Sequence, residues 1–200
     1  VWPNVFFAGQ HPYLRYLTHT QIGRVLGPME ATHDIRVVNA WFQDRHGMPF
    51  NKAMTAPDYE QQVYATSLRD LHGREANCDV TISDLIEAHF ETHRLFFTFN
   101  HPTLALLAPL AERILDKVGE GQTIDAGGMN EPLDQFCPPW LRSNGDLLKG
   151  RSVDLSAAGA VTLGPPRTYS QQEFEDTSFA CYDHLADQMN PQALRMTPGY

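Results

Sequence analysis

The chain has 200 residues, of which 42 % are hydrophobic and 20 % charged, a globular composition that excludes fibrous and intrinsically disordered classes. Fifteen Lys and Arg against twenty-four Asp and Glu give a net charge of −9, so the average surface field repels phosphate backbones and anionic lipid, while a local basic pocket for one anionic cofactor stays open. No apolar run approaches the ~18 residues of a membrane helix. Three scattered cysteines, Cys78, Cys137 and Cys181, have no CxxC spacing and argue for a reducing, cytoplasmic setting.

In chain order, the opening Val1-Trp2-Pro3-Asn4-Val5-Phe6-Phe7 lacks the basic start and long apolar core of a signal peptide, and Val5-Phe6-Phe7 reads as a strand end or buried loop. The expectation is a single domain over 1–200 that lacks upstream residues of its full fold. Turn signals at Ala8-Gly9-Gln10, His11-Pro12, Gly27-Pro28 and His46-Gly47-Met48-Pro49 leave little regular structure before Pro49, apart from a helix across Leu14 to Leu26. The next helix has Pro57 in its first turn, apolar Tyr59, Val63, Tyr64, Leu68 and Leu71, and Gly73 as its stop. Another starts near Ser83, capped by that hydroxyl, with Leu85, Ile86, His89 and Phe90 inward.

The β-rich run Arg94 to Phe99 reads as a buried strand delivering the chain into Asn100-His101-Pro102-Thr103. Thr103 to Val118 then forms the strongest helical pattern, with Leu106, Leu107, Leu110, Ile114, Leu115 and Val118 on one side, Gly119 closing it, and Pro109 kinking it or shifting its start. From Glu120 to Pro166 glycines and prolines break every pattern except a strand at Val161-Thr162-Leu163, leaving a loop-rich region that reads as a lid or an interface. A final helix runs from Ser170 through Phe174, Phe179, Tyr182 and Leu185 to about Asn190-Pro191, before frayed last residues.

A histidine at a strand-to-helix junction lies where an open α/β sheet forms its ligand crevice. His101 there is a candidate general base, with the Asn100 amide offered to a developing oxyanion; the alternative is that Asn100 merely caps the helix and His101 is exposed. The turn Gly9-Gln10-His11-Pro12-Tyr13 is the second candidate, against an ordinary turn with a satisfied His. His89 and His93 have the i,i+4 spacing of zinc ligands, but the Glu of His-Phe-Glu-Thr-His stands out of place for HExxH, and no metal is expected. GxGxxG, Walker and GxSxG motifs are absent.

Trp2 to Leu14, the helix opening Ser83-Asp84-Leu85-Ile86, and Leu95-Phe96-Phe97-Thr98-Phe99-Asn100-His101-Pro102-Thr103 with its following helix together resemble the WcbI-type polysaccharide biosynthesis acetyltransferases over roughly Trp2 to Gly119. The resemblance implies a cytoplasmic enzyme with an SGNH-hydrolase-like three-layer α/β sandwich and additional helices, binding coenzyme A and moving an acetyl group onto a sugar hydroxyl of a capsular polysaccharide. It implies His101 as acid/base with Asn100 beside it and His11 lining the same cleft. Tyr13, Arg15 and Arg94 join His11 as expected coenzyme A contacts, with Arg24 a further available cation. The family's Asn-Cys-Gln block does not occur in this chain. Two other readings use the same scaffold: a non-catalytic carbohydrate- or partner-binding domain, with Trp2, Phe6, Phe7, Tyr13, Tyr16 and Trp41 stacking on sugar rings, and an acyl esterase.

Overall fold

Residues 5–127 and 148–198 are described by the computed structural model. The expectations placed on Trp2, Cys137 and the 128–147 part of the Gly/Pro-rich stretch lie outside them. The elements are β1 (Leu14–His19), β2 (Gly23–Arg24), β3 (Thr32–Asp34), α1 (Ile35–His46), α2 (Tyr59–Glu75), α3 (Ser83–His89), β4 (Phe96–Thr98), β5 (His101–Pro102), α4 (Leu104–Lys117), β6 (Leu148–Asp154), β7 (Thr162–Tyr169), α5 (Gln171–His184) and β8 (Leu194–Thr197). The chain divides into two compact units, Val1–Pro12 with Asp58–Asp134, and Tyr13–Pro57 with Gln135–Tyr200.

In the second unit, β1 corrects the helix expected over Leu14 to Leu26. Leu14 and Leu17 mimic helical spacing, but Tyr16 and Thr18 are strand formers, and Gly23 at φ 81° ends a turn that folds β2 back onto β1. β1 is the central strand: β8 pairs along one edge, and β3 then β2 along the other, all antiparallel. Leu194–Thr197, in the tail expected to fray, therefore form a sheet strand. α1 was not expected. Asp34 caps it by accepting from the Arg36 N–H at 2.9 Å, Gly47 at φ 71° stops it, and Ile35, Val38, Trp41 and Phe42 are buried. Three β-branched residues among its first four lower its intrinsic helicity and hid it.

β6 and β7 form a hairpin: the strand expected at Val161-Thr162-Leu163 is the start of β7, which runs on to Tyr169, while β6 lies where loop was expected, so the C-terminal region is less loop-rich than its glycines and prolines imply. Pro165 and Pro166 are tolerated because β7 has one partner, and the register shifts between Arg151 and Val153 where they lie opposite. Gly150 is required by a close approach: a Cβ there would stand 2.6 Å from the Pro28 carbonyl oxygen, which also accepts the Arg151 N–H. α5 follows with the capping box at Ser170 and Glu173, as the Ser170 start predicts, and ends at His184, short of Asn190. Trp41 meets Tyr182 edge-on at 5.9 Å and donates its indole N–H to Asp183, which also takes two Arg45 bonds. Those bonds hold the Asp183 carboxyl below its ordinary range. Between these elements His33 is buried, with Nε2 3.0 Å from the Val25 carbonyl and Nδ1 2.8 Å from the Tyr182 hydroxyl.

The first unit packs Phe7, Leu71, Val80, Ile82, Ile86, Leu95, Phe96, Leu106 and Leu110 into one apolar core. Segment 5–8 is the buried loop foreseen for Val5-Phe6-Phe7: the Phe7 N–H donates to Phe99 and the Ala8 N–H to Ser67 Oγ. In α2, Tyr59, Val63, Ser67, Leu71 and Glu75 repeat every four residues and form the buried stripe. The helix passes through Gly73 because it has to reach Glu75. That carboxylate, 5 % exposed, accepts the Ile82 and Ser83 N–H groups at 2.6 and 3.1 Å. It caps α3, a role expected of the Ser83 hydroxyl, and Ser83 is instead the first helical residue. His89, expected inward, is exposed. α4 keeps Pro109 inside, in its second turn.

Candidate functional site

The site grows from the β4–β5 hairpin of the first unit. Phe96 pairs with Pro102 and Thr98 with His101, so only Phe99 and Asn100 make the turn and the side chains of Thr98 and His101 share one face. Thr103, at the N-cap of α4, donates its hydroxyl to the Arg94 carbonyl at 2.7 Å and its N–H to Leu95 at 2.9 Å. The strand-to-helix junction read from sequence is thus tied down on both sides. His101 is half-buried, its Nδ1 2.6 Å from Thr98 Oγ1, and Thr98 Oγ1 donates to Asn100 Oδ1 at 3.0 Å. Burial lowers the His101 pKa from its ordinary value, so the imidazole is neutral near pH 7, the form a general base needs.

The turn at residues 9–12 is anchored to the start of this hairpin. Gln10, 1 % exposed, donates to the Phe90 and His93 carbonyls at 2.7 and 2.6 Å and accepts from Leu95 and Phe96 at 2.9 and 2.8 Å, which uses the bonding capacity of its amide. Gly9 fits only because it has no side chain: a Cβ would come within 2.5 Å of the Phe7 ring. His11 is fully buried and its Nε2 lies 2.8 Å from the Phe96 carbonyl.

Of the residues expected at the site, Asn100 and His101 are brought together through Thr98. Arg94, partly buried, stacks its guanidinium 4.5 Å over the Phe97 ring in the same unit. His11 shares the β4 anchor but is enclosed. Tyr13 and Arg15 belong to the second unit, where Arg36 lies 4.6 Å over the Tyr13 ring and Arg15 is fully buried with a bond to the Leu14 carbonyl. Contact between a ligand and His11 or Arg15 requires these side chains to be uncovered. Arg24, also in the second unit, is exposed at the end of β2.

The His89 and His93 rings lie 5.2 Å apart, and among the described residues no group of three or more metal-capable side chains gathers. An open cavity of about 400 Å³ is lined by Asp79, Val80, Thr81, Arg113, Asp116 and Lys117. It sits toward the C-terminal end of α4, roughly 15–20 Å along the helix from His101 at 1.5 Å per residue. Arg113 there is committed to Asp84 and the Thr81 carbonyl. No helix among the described residues is long and apolar enough to cross a membrane.

Sequence reasoning missed Thr98, Glu75 and the four bonds by which Gln10 anchors its turn. The signal for Thr98 is its place three residues before His101 across a two-residue turn.

The family described as polysaccharide biosynthesis enzyme WcbI matches residues 1–123, which include the anchored turn, the hairpin and α4. The chain belongs to the WcbI family. A solved WcbI structure, described as the native protein without a disulfide bond between coenzyme A and one of its cysteines, is similar to this chain at 18 % identity and a TM-score of 0.54. It covers 92 % of this chain, which spans 61 % of the WcbI chain. This similarity extends to the mixed α/β fold, with its small sheets and helices. No curated protein matches. The family's description is that of an enzyme.

Proposed function

We propose that the chain belongs to a coenzyme A-dependent acetyltransferase that acylates a sugar hydroxyl during polysaccharide biosynthesis, with His101 as its general base. One observation carries the reading: a half-buried histidine fixed at the hairpin-to-helix junction, in the segment matched to a polysaccharide biosynthesis family. The similarity to a WcbI described with coenzyme A supports the choice of cofactor. The residues fit in kind: Arg94 offers the planar donor edge that phosphates take, on the segment leading into the hairpin.

Acetyl-coenzyme A, when bound, would supply the acetyl thioester. His101 takes the proton of the acceptor hydroxyl at an imidazole nitrogen, raising the nucleophilicity of that oxygen. Asn100, whose Oδ1 is engaged by Thr98, offers its Nδ2 to developing negative charge. Of the cofactor contacts expected from the sequence, Arg94 is the one we retain beside His101, and His11 stays only if binding uncovers it; Tyr13 and Arg15 belong to the second unit and are not assigned to this site. A single domain with an SGNH-hydrolase-like three-layer sandwich and additional helices, working in the cytoplasm, completes the proposal. The strand pairs described above are all antiparallel, so the parallel layer of such a sandwich is not among them.

The test is release of free thiol from acetyl-coenzyme A in the presence of a panel of sugar acceptors, on the natural full-length protein. His101→Gln should lower turnover on the order of 100-fold or more with an unchanged unfolding curve. Turnover equal to the unsubstituted protein would remove His101 from the chemistry.

A further inference from the structure

His101 has two ring nitrogens, and only one can take a proton from an acceptor while the other holds the ring in place. The contacts of Thr98 favour one assignment. Thr98 Oγ1 has a single proton and lies within bonding distance of two groups, Asn100 Oδ1 at 3.0 Å and His101 Nδ1 at 2.6 Å. An amide oxygen only accepts, so the hydroxyl proton goes to Asn100. Toward His101 the same oxygen then has a lone pair to offer, and the short contact requires a proton on Nδ1. The order of donation is Nδ1–H to Thr98, then Thr98 O–H to Asn100.

We propose that Thr98 is the positioning residue of this site: it fixes His101 as the Nδ1–H tautomer and leaves the Nε2 lone pair as the base. The geometry behind it is built into the fold. Thr98 is 5 % exposed, faces His101 in register across a two-residue turn, and stands on a strand whose neighbours Leu95 and Phe96 are bonded to Gln10. The hydroxyl occupies the place a carboxylate fills in a nucleophile–histidine–acid triad, and it orients the ring without carrying a charge. A base held this way is not strengthened by a neighbouring anion. The proton it accepts is passed on at the same Nε2, since Nδ1 stays engaged throughout.

The proposal rests on His101 being the base, yet its test does not depend on finding a substrate. Nitrogen-15 correlation spectra of the imidazole rings, recorded at pH 8 on the unsubstituted protein, report which nitrogen carries hydrogen; His101→Gln identifies the His101 signals among the nine histidines. The expected result is an Nδ1–H, Nε2-unprotonated pattern. Thr98→Val should abolish that pattern while the other histidine signals stay in place, and Thr98→Ser should restore it. An Nε2–H pattern in the unsubstituted protein, or an Nδ1–H pattern that survives Thr98→Val, would overturn the proposal. In the acetyl transfer assay Thr98→Val lowers kcat with KM held and Thr98→Ser recovers it. A Thr98-dependent tautomer in a protein with no acetyl transfer would refute the function and leave the positioning role intact.

Discussion

Acidification should unfold the second unit through His33. This imidazole is 2 % exposed and satisfied as a neutral ring, donating from Nε2 to the Val25 carbonyl and taking the Tyr182 hydroxyl proton at Nδ1. Burial pushes its pKa from 6.5 down to about 4. The unfolded chain therefore binds a proton between these two values while the folded chain refuses it. The stabilisation is complete above pH 6.5 and lost as pH falls toward 4. A gap of 6.5 − 4 = 2.5 units at 1.36 kcal/mol per unit makes the loss about 3 kcal/mol. Urea unfolding followed by Trp41, whose ring lies 5.9 Å from Tyr182, measures it across pH 4 to 7. His33→Gln, which cannot charge, should remove this component of the slope. The carboxylates with lowered pKa values, such as Asp84 and Asp183, lose their contribution at lower pH in both proteins and cancel in the comparison. Parallel stability profiles for the two proteins would refute the reasoning.

Glu75→Ala removes the acceptor of two buried N–H groups and should cost about 3 kcal/mol in chemical denaturation, whereas a loss below about 1 kcal/mol would mean water reaches the start of α3. Gly150→Ala places a methyl 2.6 Å from the Pro28 carbonyl oxygen, backbone that cannot rotate away, and should lower stability by about 1–3 kcal/mol; an unchanged melting temperature would show that the β6–β7 hairpin shifts freely. If His101 is the base, kcat/KM should fall on the acid side with an apparent pKa below 6.5, because burial disfavours the imidazolium; a limb above 6.5 would contradict that environment.

The readable parts of this sequence were those where one local pattern dominates. Arg94 to Phe99 has too many aromatics to be anything but a buried strand, and the leucines of α4 repeat at helical spacing for four turns. Ser170 with Glu173 announces α5 by a cap that is entirely local. The errors came where long-range partners decide. Leu14 and Leu17 suit a helix or a strand, and only β3 and β8 along the two edges make the segment β1. Pro165 and Pro166 look like loop until one sees that β7 pairs on a single side. Ser83 has the right chemistry for a cap, but Glu75 reaches the same N–H groups from another helix and displaces it.

The site divides in the same way. His101 and Asn100 were visible because they stand at a strand-to-helix junction, a position that sequence order gives directly. Thr98 was not, because its role depends on the hairpin register, and a threonine inside a strand reads as ordinary β propensity. His11 and Gln10 were legible as a turn, but their enclosure beneath the β4 backbone was not. Their bonds hold the strand that presents Thr98.

Coenzyme A dependence is the central claim, and its most direct measurement is mass spectrometry of small molecules released on denaturing the gently purified natural protein, followed by titration of the emptied protein with acetyl-coenzyme A. The account predicts coenzyme A at near-stoichiometric amount or saturable binding of the added thioester, weakened by Arg94→Ala. A protein that carries none and binds none would contradict it.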